Sequence, residues 1–452
     1  MRTEKDFLGD VLIPDSVLYG AQTARALENF SFNYKKTSPL LITAFLLVKK
    51  AASFTWAELE TKTGEQKKYK AISDACDKLL NENNLDNFCV DALQGGAGTS
   101  TNMNVNEVLA NQALALIGEE AGNYKIIHPL DHVNRGQSTN DTYPTALRIA
   151  CILKLRELSA SCAELQTSLQ TKENEFDFIK KLGRTELMDA VPVTLGAEFG
   201  CYAQSIARDR WRLYKVEERL RQVNIGGAAV GFIENIDKQE HALHQKYQFH
   251  IIEKLRELTG IGLALAEYPM DITQNNDVFV EVSGLLKALS VNLMKIAGDL
   301  RLMNSGPYGG IGEIKLEPRQ AGSTIMPGKV NPVIPESIIQ IGIKIQANDY
   351  CITTAASRGE FELNAFTPLI ADSILESLNL LNRAVFIFRT KCVETIVSDN
   401  ERCKEILQKT TAFAAAYVPK LGYDKVRDII MECNGNTNDI EEIKKRLEQK
   451  QS

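Results

Sequence analysis

Three apolar stripes at helical spacing constrain this chain more than anything else in it. Leu155, Leu158, Cys162, Leu165 and Leu169 recur every three or four residues. The same rhythm runs through Leu286, Leu289, Leu293, Ile296, Leu300 and Met303, and again through Ile374, Leu378, Leu381, Val385 and Phe388. Such spacing lines one face of an α-helix and requires a surface to cover it. No comparable stretch sustains a period-2 alternation, so a mainly α fold with minor sheet content is expected. The stripes are longer than a small single-chain bundle needs, which predicts helices that also pack against other subunits.

The rhythm divides the chain into three parts. Residues 1–135 alternate short helical patterns with turn-rich links, as a mixed but mostly helical N-terminal domain would. Residues 136–395 hold the long stripes of a central helical bundle. Residues 396–452 turn to shorter, more charged helices, a small C-terminal domain. A chain of 452 residues with 44% apolar content is long enough for more than one core.

Charge and cysteine usage exclude several function classes. A net charge of −6 leaves no basic excess for nucleic acid or an acidic membrane surface. Met1-Arg2-Thr3-Glu4-Lys5-Asp6 leads straight into mixed sequence without an apolar signal core, and no apolar run reads as long enough to span a bilayer. A cytoplasmic protein is expected. The nine cysteines are scattered and form no CxxC pair, so they read as reduced, mostly structural thiols.

The chemistry concentrates in a few polar segments. In Ala321-Gly322-Ser323-Thr324-Ile325-Met326-Pro327-Gly328-Lys329-Val330-Asn331-Pro332, two glycines and two prolines surround a serine. That composition predicts a mobile loop, and Lys329 with Asn331 can receive an anion. Gly95-Gly96-Ala97-Gly98-Thr99-Ser100-Thr101-Asn102-Met103-Asn104, Gln137-Ser138-Thr139-Asn140-Asp141 and Gly183-Arg184-Thr185-Glu186-Leu187-Met188-Asp189-Ala190 are further clusters of hydroxyls and amides. Ser138-Thr139-Asn140-Asp141 precedes Tyr143-Pro144, which predicts a turn entering a long helix at about residue 145. Helix N-termini attract anions.

These four segments, in this order, resemble the signature segments of the aspartase/fumarase superfamily, lyases that release fumarate from a substituted succinate by anti elimination. Tyr19-Gly20-Ala21-Gln22-Thr23-Ala24-Arg25-Ala26 resembles the family's N-terminal segment, whose arginine, here Arg25, lies near the active site in a contributory role. The resemblance spans nearly the whole chain. It implies a homotetramer whose central domains share a helical bundle, with each active site built from three chains. It also implies chemistry without metal or cofactor.

The resemblance assigns roles residue by residue. Ser323 matches the serine that takes the C3 proton when the loop closes. Lys329, Asn331 and Thr185 match the receptors of the α-carboxylate. Ser138 and Thr139 match binders of the β-carboxylate, which becomes the enediolate, while Thr99 and Asn140 match contacts to the amine or that carboxylate. Elimination of this kind is dominated by stabilising developing negative charge, and hydroxyl, amide and ammonium donors suit that task. For Ser323, glycines in the loop let backbone N–H groups converge on a developing alkoxide.

One position departs from the pattern. Glu186 stands where fumarases and some aspartases carry histidine and other aspartases glutamine, and the glutamate matching Glu336 pairs with that histidine. Two carboxylates facing each other would share a proton or need a cation, and a substrate ammonium is one. The expected reaction is therefore carbon–nitrogen elimination, ammonia leaving L-aspartate. Open alternatives are an N-substituted or modified aspartate, fumarate hydration, and a non-catalytic scaffold of the same fold. His241, His244 and His250 read as surface histidines, since no carboxylate or cysteine stands at ligand spacing. The run Asn224-Ile225-Gly226-Gly227-Ala228-Ala229-Val230-Gly231 lacks the lysine of a phosphate loop and reads as a close backbone approach near the site.

Overall fold

The computed structural model describes residues 1–82, 85–232, 237–433 and 439–451. In chain order, β1 (Arg2–Asp6) and β2 (Gly9–Ile13) form a hairpin, followed by α1 (Ala21–Asn29), α2 (Pro39–Leu59), α3 (Thr63–Glu82), α4 (Thr99–Leu116) and α5 (Thr139–Glu175). A second antiparallel hairpin, β3 (Lys180–Thr185) with β4 (Met188–Thr194), precedes α6 (Leu195–Leu220). Short strands β5 (Gln222–Val223) and β6 (Ala264–Leu265) pair in parallel around α7 (Lys238–Thr259). Then come α8 (Pro269–Gln274), α9 (Asp277–Met303), β7 (Ile314–Lys315), α10 (Val333–Ala356), α11 (Thr367–Lys391) and β8 (Val397–Ser398), which pairs with β7. Helices α12 (Asn400–Gln408), α13 (Val418–Leu421), α14 (Tyr423–Glu432) and α15 (Ile440–Gln451) close the chain.

The protein is mainly helical, and its sheets are two-stranded among the described residues. Every residue of the three stripes is buried: the first on α5, the second on α9, the third on α11. At roughly 25 cal/mol per Å² of apolar area removed from water, these stripes are a principal source of stability.

Backbone contacts divide the chain into two compact units. The first comprises Met1–Ser159, Trp211–Ala288 and Lys344–Leu381; the second comprises Ala160–Arg210, Leu289–Ile343 and Asn382–Ser452. In the first, α2 packs on α3 and α7, and α3 on α4. In the second, α12 packs on β3, and Ala414, Val426, Ile429, Cys433, Ile443 and Leu447 form a local core beneath the last helices.

Two expectations need correction. Helix α5 begins at Thr139, about six residues earlier than the sequence suggests, with Pro144 inside its second turn. Proline has no N–H to give the carbonyl four residues back, that of Asn140. That carbonyl instead accepts from Asn224 Nδ2 at 3.0 Å, so the helix can start before the proline. The second concerns apolar runs: α2 is long and apolar enough to cross a membrane by length and composition, but most of it is buried in this chain. All nine cysteines are free, six of them buried.

Candidate active site

The predicted site residues fall into two sets, one in each unit. Thr99, Ser138, Thr139, Asn140 and Arg25 belong to the first; Thr185, Glu186, Ser323, Lys329, Asn331 and Glu336 belong to the second.

In the first set, the opening turns of α4 and α5 meet. Gly96, Ala97 and Gly98 all have positive φ, and a Cβ on Gly98 would come within 2.2 Å of the Tyr143 ring. Only glycine allows that approach, so the segment before Thr99 lies directly against α5. One turn into α4, Asn102 Nδ2 donates to Thr139 Oγ1 at 3.0 Å. Because Thr139 accepts this bond, its own hydroxyl hydrogen remains available for an incoming carboxylate. Ser138 Oγ similarly accepts from the Asn140 N–H at 3.2 Å. Thr99 Oγ1 donates to Gly96 O at 2.7 Å, and Asn140 Nδ2 donates to Ala229 O at 2.7 Å. Arg25 makes a two-point pair with Asp6, at 2.8 and 2.9 Å, and also donates to Gly9 O.

A charged network lies beneath this turn. Lys49 is fully buried on α2 and donates to Asn134 Oδ1 at 2.9 Å and Gln137 Oε1 at 3.0 Å. Asn134 Oδ1 also accepts from Asn102 and Asn106, each at 3.2 Å. Asp141, equally buried, receives backbone N–H groups from Ser138, Gly226 and Ala228. Burial draws the Lys49 ammonium down to about 7, against the charge of Asp141. Burial pushes the Asp141 carboxyl up to about 7, against its hydrogen bonds and the charge of Lys49.

In the second set, Ser323 Oγ accepts from the backbone N–H groups of Ile325 at 3.2 Å and Met326 at 3.0 Å. Two N–H groups directed at one hydroxyl oxygen are the arrangement that stabilises an alkoxide. The loop is closed at its base by Gly322 N–H to Lys329 O at 2.8 Å, and by Asn331 Nδ2 to Gly322 O at 2.8 Å. Lys329 and Asn331 line a cavity of about 960 Å³ together with Arg301, Lys315, Arg319 and Glu336. Glu336, in the first turn of α10, lies 3.6 Å from Arg301.

Thr185 and Glu186 stand exposed where β3 turns into β4. Glu186 and Leu187 form the two-residue turn, both at positive φ, 53° and 64°. That conformation is usually left to glycine, asparagine or aspartate, so the turn is held by its surroundings. Lys181 contacts Glu198 at 2.8 Å and the fully buried Glu313 at 2.8 Å, while Arg184 reaches Glu313 at 2.9 Å. The two cations approach Glu313 off the hydrogen-bonding direction, so this pairing is Coulombic.

The sequence reading missed Lys49, Asn102, Asn224 and the role of Asp141. Lys49 left one trace: it shares the buried face of α2 with Phe45 and Trp56. A lysine on such a face signals a buried partner. Asn224 stands at the head of a run whose local pattern is dominated by its glycines.

A family model described as lyase matches residues 9–347. This chain belongs to that lyase family. It is 42% identical over 445 residues to a Helicobacter pylori protein named aspartate ammonia-lyase, covering 98% of this chain and 93% of the relative. A Bacillus subtilis protein of the same name is 40% identical over 432 residues, covering 96% and 89%. Among solved structures, a Brucella melitensis fumarate lyase:delta crystallin superposes with a TM-score of 0.89 at 41% identity, covering 98% of this chain and 99% of that one. A class II fumarase from Schistosoma mansoni superposes with a TM-score of 0.91 at 29% identity, covering 97% and 94%. The protein is thus a lyase of the aspartase/fumarase superfamily and has that superfamily's mainly α fold.

Proposed function

We propose that this lyase releases fumarate from L-aspartate by anti elimination of ammonia. Ser323 Oγ takes the C3 proton, the C–H electron pair becomes an enediolate on the adjacent carboxylate, and collapse of the enediolate breaks the C–N bond. The amine leaves as ammonia. Lys329, Asn331 and Thr185 hold the α-carboxylate; Ser138, Thr139 and Thr99 stabilise the enediolate; Asn140 and Glu186 face the amine. Glu336 and Arg25 have supporting roles. The observation that carries this reading is the pair of backbone N–H groups on Ser323 Oγ, in the loop that ends in Lys329 and Asn331. The names of the Helicobacter and Bacillus relatives support the choice of substrate.

A second reading, an N-substituted or more cationic aspartate, draws on Glu186. It is exposed at its hairpin tip, and no cation among the described residues pairs with it. Each active site is completed by residues from three chains of a homotetramer, and the protein works in the cytoplasm without nucleic acid or membrane. The three-part division at about residues 135 and 395 belongs to the same proposal.

The deciding experiment follows fumarate by its ultraviolet absorbance with L-aspartate, L-malate and a panel of N-substituted aspartates. Product from aspartate is expected. Product only from a substituted aspartate would replace the substrate, product from malate alone would make the protein a hydratase, and silence throughout would favour a scaffold.

A further inference from the structure

One buried carboxylate touches two segments that the proposed chemistry treats separately. Asp141 Oδ1 accepts from Ser138 N–H at 2.9 Å and from Thr142 Oγ1 at 3.0 Å. Its Oδ2 accepts from Gly226 N–H at 3.0 Å and Ala228 N–H at 3.1 Å. Four donors on two oxygens match an ionised carboxylate, which only accepts, and three of the four are backbone N–H groups that can do nothing but donate.

The loop that supplies two of these donors is shaped for the purpose. Gly226 has φ +81° and Ala228 φ +54°, a backbone that turns alternate N–H groups inward around an anion. A Cβ on Gly226 would lie 2.7 Å from Gln248 Cγ, and Gln248 Nε2 donates to Gly226 O at 3.1 Å, so the loop is held from its far side too. The same loop grips Asn140 twice. Asn224 Nδ2 fills the carbonyl that Pro144 leaves unpaired, and Ala229 O takes the Asn140 side-chain amide.

We propose that Asp141 is a positioning residue for the lyase reaction: its carboxylate fastens the loop of residues 224–229 against the Ser138-Thr139-Asn140 turn and fixes the donors of that turn where a substrate carboxylate is received. Lys49, buried against Asn134 and Gln137, supplies the compensating charge from the other side of the turn. The inference rests on the reading of this turn as a carboxylate receptor.

The test uses Asp141→Asn, whose NH₂ group cannot accept and so leaves one pair of donors without a partner. Fumarate formation from L-aspartate is measured beside calorimetric binding of succinate, an unreactive dicarboxylate, and melting temperature. The expected result is a KM for L-aspartate and a Kd for succinate each raised about tenfold or more, in protein that still melts cooperatively. A purely structural role would lower the melting temperature and leave both constants at wild-type values. If Asp141→Asn does not fold, Asn224→Ala decides, because it keeps the carboxylate and frees only the Asn140 carbonyl and Thr273. It should raise both constants several-fold, and wild-type constants in the folded variants would overturn the proposal. Wild-type protein that makes no fumarate from aspartate yet binds succinate would defeat the substrate assignment alone, leaving the succinate shift to judge Asp141.

Discussion

Ser323 has its two N–H partners within the next three residues, so the alkoxide-stabilising arrangement is local to the loop. Ser323→Ala removes the proposed base without disturbing a buried contact. It should lower kcat by at least about 100-fold, with melting temperature and succinate affinity near wild type. Turnover surviving in that variant would move the base elsewhere. Lys329→Met should act differently, because a point charge on a ground-state carboxylate supports binding. A loss of about 1.5–3 kcal/mol is expected, read mainly as a raised KM. The loop around Ser323, Lys329 and Asn331 was legible as a loop because its glycines and prolines lie within a dozen residues, and its hydrogen bonds are local. Arg25 shows the limit of such reading: only the fold reveals its two-point pair with Asp6.

At the scale of elements, helices were legible where their burial is periodic and illegible where a distant residue decides. The stripes of α9 and α11 lie where spacing puts them. The start of α5 does not, because the donor that lets Pro144 sit inside the helix comes from Asn224, outside any local window. The Glu186-Leu187 turn was hidden for a similar reason, since neither residue type favours positive φ.

Three predictions belong to this scale. Gly98→Ala would force a Cβ to 2.2 Å from Tyr143 at φ +90°, so a stability loss of more than about 2 kcal/mol is expected in denaturant titrations, with a raised KM as Thr99 shifts. Glu313→Gln would leave Lys181 and Arg184 short of countercharge in a buried setting, costing about 3–5 kcal/mol by the same assay and loosening the Thr185 hairpin. The third concerns Glu376 on α11. Burial pushes its carboxyl up, but hydrogen bonds from Lys344, Asn348 and Lys35 outweigh that and hold it at about 2, below its ordinary 4.5. A depressed carboxylate gives stability that is fully present above the ordinary value and lost as pH falls towards the folded one. Between about pH 4.5 and 2 the urea midpoint of the wild type should therefore fall more steeply than that of Glu376→Gln; parallel curves would remove Glu376 from acid unfolding.

For the whole molecule, apolar side chains remain uncovered on long helices: Trp211 and Tyr214 on α6, Val291 on α9, Ile343 and Tyr350 on α10. These are side chains that the proposed tetramer would cover. Light scattering should give four chains per particle. Mixing inactive Ser323→Ala and Thr139→Ala proteins after mild dissociation should restore activity above either parent, because some hybrid sites would draw both residues from unmutated chains. If activity stays at parental levels while subunits exchange, the sites are not shared.

The carbonyl left empty by Pro144 also bears on the order in which the chain matures during synthesis. Residues 139–175 can coil as soon as they leave the ribosome, but the first turn of that helix lacks its clasp until position 224 has followed, some eighty residues later. A nascent chain arrested before that point would hold the helix and the hydroxyls without a receptor built from them. On the proposed function, carboxylate recognition would therefore be a late acquisition of the growing polypeptide.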